Sequence, residues 1–239
     1  MILALALACT QPEPLDSVQP YEPWKPEGGQ VVSLSARDGV TIEADLYAAS
    51  SADRPALVLV HMDPSSGAHR GNWPGEFLQL LVDSDWNLIV PDRRGAGGSE
   101  GVATDAFETV AGAWDIEACV LELPEATSLG LVAASNGTTS MIDYAAMASD
   151  EGWTAPETLT FVSVVGSTTN NHAIGDVPAT TAHFAFPTGE ADNNEPWQAA
   201  NPGSWTFQEY DPGAHGTRMF ENTPELAPDL HAWLDSQLD

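Results

Sequence analysis

The stretch Leu129-Gly130-Leu131-Val132-Ala133-Ala134-Ser135-Asn136-Gly137, followed by Thr138-Thr139-Ser140-Met141-Ile142-Asp143-Tyr144-Ala145-Ala146-Met147, decides how the rest of the chain is read. An apolar run with the length of a buried strand reaches Ala133, and a helix-length segment starts after Gly137. Ser135 stands at the junction. Small-x-Ser-x-Gly between a strand and a helix is the pattern of a nucleophile elbow, a tight turn that projects its serine beyond the sheet edge. Ala133 and Gly137 supply the small residues that let strand and helix approach each other. The serine is then expected in a strained backbone conformation costing about 1–3 kcal/mol. The Asn136 amide, in the first turn of the helix, is expected to point where an oxyanion forms. The competing reading of the same residues is a plain strand–loop–helix in which Ser135 only caps the helix.

Working outward, the chain alternates extended and helical segments. Val31–Ser35 and Val40–Tyr47 flank Arg37-Asp38-Gly39, which predicts a hairpin. Ala56–His61 and Leu88–Val90 read as buried strands, separated by a helical stretch around Phe77, Leu80 and Leu81. Asp105 with Glu108 predicts a capping-box start to a helix running to about Leu123 and carrying Cys119. Beyond the elbow come strands at Leu159–Val165, Ala182–Phe186 and Trp205–Tyr210. Leu230, Trp233, Leu234 and Leu238 mark a closing amphipathic helix. This alternation implies an α/β fold with a doubly wound, mostly parallel sheet and an antiparallel hairpin at its start.

Composition narrows the partners. The 239 residues, 43% of them hydrophobic, suit one domain with a sizeable core. Asp plus Glu number 35 against 7 Lys plus Arg, a formal charge of −28, which argues against nucleic acid or an anionic membrane surface. Lys25 is the only lysine. Scarce lysine with abundant acid is found in proteins adapted to high salt; we read it here as the balance of an acidic exported protein. No metal-ligand spacing and no phosphate-cradling glycine motif is present, so no cofactor is expected.

Residues 1–9 read as a signal-like hydrophobic segment. Ala6-Leu7-Ala8-Cys9 resembles an imperfect lipobox of a bacterial lipoprotein signal, although it lacks a basic n-region and is short. That resemblance implies export and lipid on Cys9, hence membrane attachment, and it leaves Cys119 without a disulfide partner. The alternative is a hydrophobic N-terminus on a cytoplasmic protein. Residues 10–29, rich in proline and polar groups, read as a tether, and 30–239 as the folded domain.

From Val31 to Leu238 the chain resembles the α/β-hydrolase family in its minimal, dienelactone-hydrolase-like form. His61 looks like the family's His-Gly oxyanion segment, with Met62 in place of glycine. Asp92-Arg93-Arg94-Gly95 through Gly98-Ser99-Glu100-Gly101 looks like the Asp-x-Arg-Gly-x-Gly-x-Ser loop, and Ala133-Ala134-Ser135-Asn136-Gly137 occupies the elbow. Thr188-Gly189-Glu190-Ala191-Asp192 looks like the Gly-x-x-Asp acid site, and Gly213-Ala214-His215-Gly216 like the histidine loop. The order Ser…Asp…His is the one this fold uses.

The resemblance implies a serine hydrolase acting on carboxylic esters of small or medium size through an acyl-enzyme. Ser135 would be the nucleophile, His215 its base, Asp192 the acid that orients the imidazole, and the backbone N–H groups of Met62 and Asn136 the oxyanion hole. Glu190 and Asp176 are the alternative acids. An amidase, peptidase or acyltransferase would use the same set, and a ligand-binding surface lipoprotein would keep the fold without the chemistry. His61 is expected to brace its loop and His183 to pack within a strand, while His69, His172 and His231 carry no motif. Arg70, Arg93, Arg94 and Arg218 would hold a substrate carboxylate or form ordinary salt bridges. Asn170, Asn171, Asn193 and Asn194 are expected in solvated turns at strand ends. The short interval between Val165 and Ala182 leaves no room for a lid domain.

Overall fold

Apolar segments with no helical period become the central strands. In the computed structural model, which describes residues 25–124, 128–165, 171–178 and 180–238, eight strands form one sheet. They are β1 (Gln30–Ser35), β2 (Thr41–Tyr47), β3 (Ala56–Val60), β4 (Asn87–Pro91), β5 (Leu129–Ala134), β6 (Thr158–Val162), β7 (Thr181–Pro187) and β8 (Trp205–Tyr210). β3, β4, β5 and β6 bury every residue, as strands do when helices cover both faces of a sheet. The order is β1-β2-β4-β3-β5-β6-β7-β8. β2 runs antiparallel to β1 and β4, and every other pairing is parallel. This is the doubly wound sheet that the alternation of segments implies.

The helices are α1 (Gly75–Asp83), α2 (Asp105–Glu108), α3 (Ala111–Glu122), α4 (Gly137–Glu151), α5 (Ala191–Ala200), α6 (Met219–Asn222) and α7 (Leu226–Leu238). α1 and α7 pack together over one face, burying Phe77, Leu81, Trp86, Leu230 and Leu234. α3, α4 and α5 cover the other, with Ile116, Met141, Tyr144 and Trp197 against Phe161 and Phe184. The order in which strands are added reverses at β3, since β4 lies on one side of it and β5 on the other. The C-terminal ends of β3 and β5 therefore flank a crevice, the place where open α/β sheets bind ligands.

Three expectations change. The helix predicted from Asp105 to Leu123 is two helices, and the Asp105–Glu108 capping box does not form; Thr104 precedes α2 without a side-chain cap. Thr109 breaks the run by turning extended, and its hydroxyl donates to Asp105 O (2.9 Å) and accepts from Ala111 N–H (3.1 Å). That local side-chain bonding competes with a continuous helix. The predicted strand to Val165 stops at Val162, because Ser163 adopts φ = +54°. The last part of the expected tether docks on the domain: Lys25 pairs with Asp45, Pro26 is buried, and Gly29 lies against the Tyr47 ring. The signal-like segment 1–9, Cys9 included, and the tether up to residue 24 lie outside the described residues.

No lid domain is inserted between β6 and β7; the described residues there contain one 3-10 turn, Ile174–Asp176. Among the described residues no helix is long and apolar enough to cross a membrane.

The sheet also buries a histidine. His183 on β7 is 3% exposed, lies 5.3 Å from the Trp233 ring, and neither ring nitrogen has a partner among the described residues. Burial pushes its pKa down to about 4, against the opposing pull of Asp229. The folded state thus holds the ring neutral where the unfolded chain, at 6.5, would protonate it. Its contribution to stability is complete above pH 6.5 and is lost as pH falls towards 4. Thermal melts between pH 7 and pH 4.5 should show a falling Tm, and His183→Leu should flatten that slope by removing a pH-dependent loss of at most about 3 kcal/mol. An equal slope in the variant would remove His183 from the account.

Candidate active site

Ser135 follows β5 directly with φ = +51°, a left-handed conformation that a non-glycine residue adopts only under constraint. The constraint is visible. Its N–H donates to Val162 O (2.9 Å) on the neighbouring strand, and its carbonyl accepts from Thr138 N–H (3.1 Å) and the Thr138 hydroxyl (2.6 Å). Gly137, first residue of α4, shows why the helix must begin without a side chain. A Cβ there would stand 2.5 Å from His61 O and 2.8 Å from Val60 O. The backbone of α4 thus rests on the end of β3, and Ser135 projects into the crevice between β3 and β5.

Two loops bring partners to it. His215 lies after β8, and its Nε2 is 2.6 Å from Ser135 Oγ. On the other side of the ring, Nδ1 is 2.5 Å from Glu190 Oε1. A carboxylate only accepts, so the Nδ1 proton points to Glu190 and Nε2 is free to accept from the serine hydroxyl. Ser135 is buried, His215 is one-third exposed and Glu190 less so.

The carboxylate that meets His215 is not the one expected. Asp192, expected there, lies exposed in the first turn of α5 and does not reach His215. Glu190 ends a 3-10 turn (Thr188–Glu190) immediately beyond β7, and from there its carboxylate meets His215. Once α5 starts at Ala191, the helical turn carries Asp192 away from the histidine. Asp176, the other alternative, sits exposed in its own 3-10 turn and accepts from Ala173 N–H. Asn194, expected in a solvated turn, is fully buried and donates to Glu190 O (3.1 Å), bracing the backbone there.

The loop after β3 forms the opposite wall. Arg93 N–H donates to His61 Nε2 (2.9 Å), so the His61 proton resides on Nδ1 and donates to Met62 O (2.9 Å). Full burial and the nearby Arg93 charge push the His61 pKa well down, and the ring stays neutral as a brace. The N–H groups of Met62 and Asn136 donate to nothing among the described residues. The Met62 side chain lies over the histidine loop. A Cβ on Gly216, which has φ = +63°, would stand 2.2 Å from Met62 Sδ and 3.5 Å from Ser135 Cβ.

Most of the remaining candidates are engaged elsewhere. Arg70 is tied to Glu43, Asp45 and Asp92, and Arg94 to Asp38 and Asp115. Arg218 is exposed, without an ion pair among the described residues. His69 accepts from Gly71 N–H, His231 meets the Ser84 hydroxyl at 2.5 Å, and His172 and Asn171 bond Asp143. Asn193 is exposed on α5, and Asn170 lies outside the described residues. Among the described residues no three His, Cys, Asp or Glu side chains are grouped to hold a metal. A cavity of about 610 Å³ lined by Leu121, Leu123, Tyr144 and Trp153 opens at the opposite end of the sheet, beside the starts of β3 and β5.

No family model matches the chain, and no curated protein matches it. Solved structures do. The chain is similar to XC6422 from Xanthomonas campestris, described as an α/β serine hydrolase without a lid, with a TM-score of 0.68 at 14% identity over 90% of this chain and 98% of that one. It is also similar to the Pyrococcus furiosus esterase Pf2001 (0.65, 13%, 88% and 93%) and to the esterase EaEST from Exiguobacterium antarcticum (0.67, 13%, 86% and 100%). The fold is the α/β-hydrolase fold, without a lid.

The clearance at Gly137 can be tested directly. Gly137→Ala forces a methyl into two carbonyl oxygens, so stability should fall by about 1–3 kcal/mol, read from denaturant midpoints. A variant as stable as the parent would show that α4 does not rest on β3 as described.

Proposed function

We propose that the protein is a serine hydrolase that cleaves carboxylic esters of small or medium size through an acyl-enzyme. The observation that carries this reading is the unbroken chain from Ser135 Oγ to His215 Nε2 (2.6 Å) and from His215 Nδ1 to Glu190 (2.5 Å), set on a strained turn. A serine hydroxyl is a weak nucleophile unless a base takes its proton during attack, and His215 stands ready to do so. Ser135 Oγ bonds to the ester carbon as its proton passes to Nε2. The carbonyl oxygen becomes an oxyanion that the Met62 and Asn136 N–H groups, with the N-terminus of α4 behind the latter, can stabilise. His215 returns its proton to the departing alkoxide as the C–O bond breaks. Water then attacks the acyl-enzyme, giving up a proton to His215, and the acid leaves as Ser135 Oγ is reprotonated. Glu190 keeps the imidazole in the productive tautomer and stabilises its charged form.

Ser135→Ala should lower kcat by about 10⁶ and Glu190→Gln by about 10⁴, while Asp192→Asn leaves it within about twofold. Steady-state kinetics on a chromogenic ester, with fluorophosphonate labelling of Ser135, provide the measurement. A folded wild type that takes no label would leave a ligand-binding module as the reading, and a damaging Asp192→Asn would return the acid role to that residue.

The site's surroundings favour short substrates. Among the described residues no lid domain covers Ser135, and the Met62 side chain leans over Gly216 beside it, so they offer no large apolar cover to enclose a long chain. Short acyl esters should be cleaved faster than long ones, with no jump in rate as substrate passes from dissolved to emulsified. Rates that climb steadily with chain length would refute the open site.

A further inference from the structure

We propose that Arg93 is a positioning residue of the oxyanion hole: one buried guanidinium fastens the two segments that carry its donors and polarises the peptide that presents the Met62 N–H. The proposal rests on the serine-hydrolase reading above and adds to it a residue outside the Ser135–His215–Glu190 set.

Arg93 is 1% exposed, yet among the described residues no carboxylate lies within ion-pair distance of it; Asp115 and Asp63 act on it only through space. Arg70 and Arg94, the neighbouring arginines, are each held by at least two acids. The Arg93 guanidinium is held instead by neutral oxygens. Nη1 donates to Asn136 Oδ1 (2.8 Å), Met62 O (3.1 Å) and His61 O (3.4 Å). Nη2 donates to Ala106 O (2.7 Å), Ser140 Oγ (2.8 Å) and Asn136 O (3.5 Å). Removing a charge from water without a counter-charge is costly, and burial pushes this group's pKa down to about 10, which still leaves it charged at neutral pH.

The placement explains the cost. His61 O and the Met62 N–H belong to one peptide unit, and in a trans peptide they point in opposite directions. A cation bonded at the carbonyl end aims the N–H away from itself and draws electron density from the amide, which strengthens the N–H as a donor. The same guanidinium grips the Asn136 side chain and carbonyl, so the Asn136 and Met62 donors keep their spacing across a joint between β3 and β5. A carboxylate paired to Arg93 would cancel its field at the point where negative charge develops. Neutral acceptors leave that field intact in a region of low dielectric.

The test compares an ester with its thiono analogue, in which sulfur replaces the carbonyl oxygen. Sulfur accepts hydrogen bonds poorly, so the oxo-to-thiono ratio of kcat/KM reads the hole itself and is independent of how much enzyme is folded. Arg93→Met should lower kcat on the oxo-ester by about 10–100-fold with KM within about twofold, and lower the ratio by about tenfold. Arg93→Lys, which keeps the charge but loses the fork, should fall between. Ser140→Ala removes a bond to the same guanidinium on the side away from the donors, and should lower Tm without moving the ratio. An unchanged ratio in Arg93→Met, or equal losses on both esters, would overturn the proposal. If Arg93→Met does not fold, a wild-type ratio in Arg93→Lys does so. A wild type that reacts with fluorophosphonate but shows no Arg93 effect refutes this assignment alone; one that does not react removes the hydrolase reading.

Discussion

The clearance between the end of β3 and the start of α4 sets the terms for everything around Ser135. Gly137 lets the helix backbone rest on His61 O and Val60 O, and the turn before it must then pass through a left-handed serine. That conformation costs about 1–3 kcal/mol, and the surrounding sheet holds it: the Ser135 N–H is taken by β6, its carbonyl by Thr138. Strain stored here puts the hydroxyl, the first N–H groups of α4 and the loop after β3 at one point. Relaxing the turn would return Ser135 to an ordinary helix cap.

The same point is supported by a particular use of charge. The chain has 7 cationic side chains against 35 acidic ones. Lys25, Arg37, Arg54, Arg70 and Arg94 are all tied to carboxylates, and Arg70 joins the loop after β3 to β2 and to the loop after β4. The buried pairs act as joints rather than as sources of large net stability, because desolvation offsets much of their attraction. Arg93 is the exception among the buried ones, and it lies beneath the loops that face Ser135. In so acidic a molecule, a buried arginine with no ion pair among the described residues is the arrangement that most needs a reason.

Much of the fold was legible because burial on both faces of a parallel sheet demands apolar strands, and β3, β4, β5 and β6 show them plainly. The hairpin at Gly39 and the lid-free connection after β6 were legible from turn residues and chain length. The break at Thr109 was not, since its cause is a side-chain bond to Asp105 O that competes with the helix there. Nor was the strand end at Ser163, whose left-handed backbone depends on neighbours.

For the site, the sequence by itself determined the residue types and their order: a serine between strand and helix, acids after a later strand, a histidine loop near the end. It could not choose between Glu190 and Asp192, because two positions along the chain differ in direction only once α5 begins at Ala191 and turns one towards His215 and the other to solvent. It could not tell Arg93 from Arg94 either. Adjacent side chains on the loop after β4 face opposite ways, one to the acids Asp38 and Asp115 and the other to the carbonyls of His61, Met62 and Ala106. Which partner each meets was decided by tertiary packing, since those partners come from segments far apart in the chain.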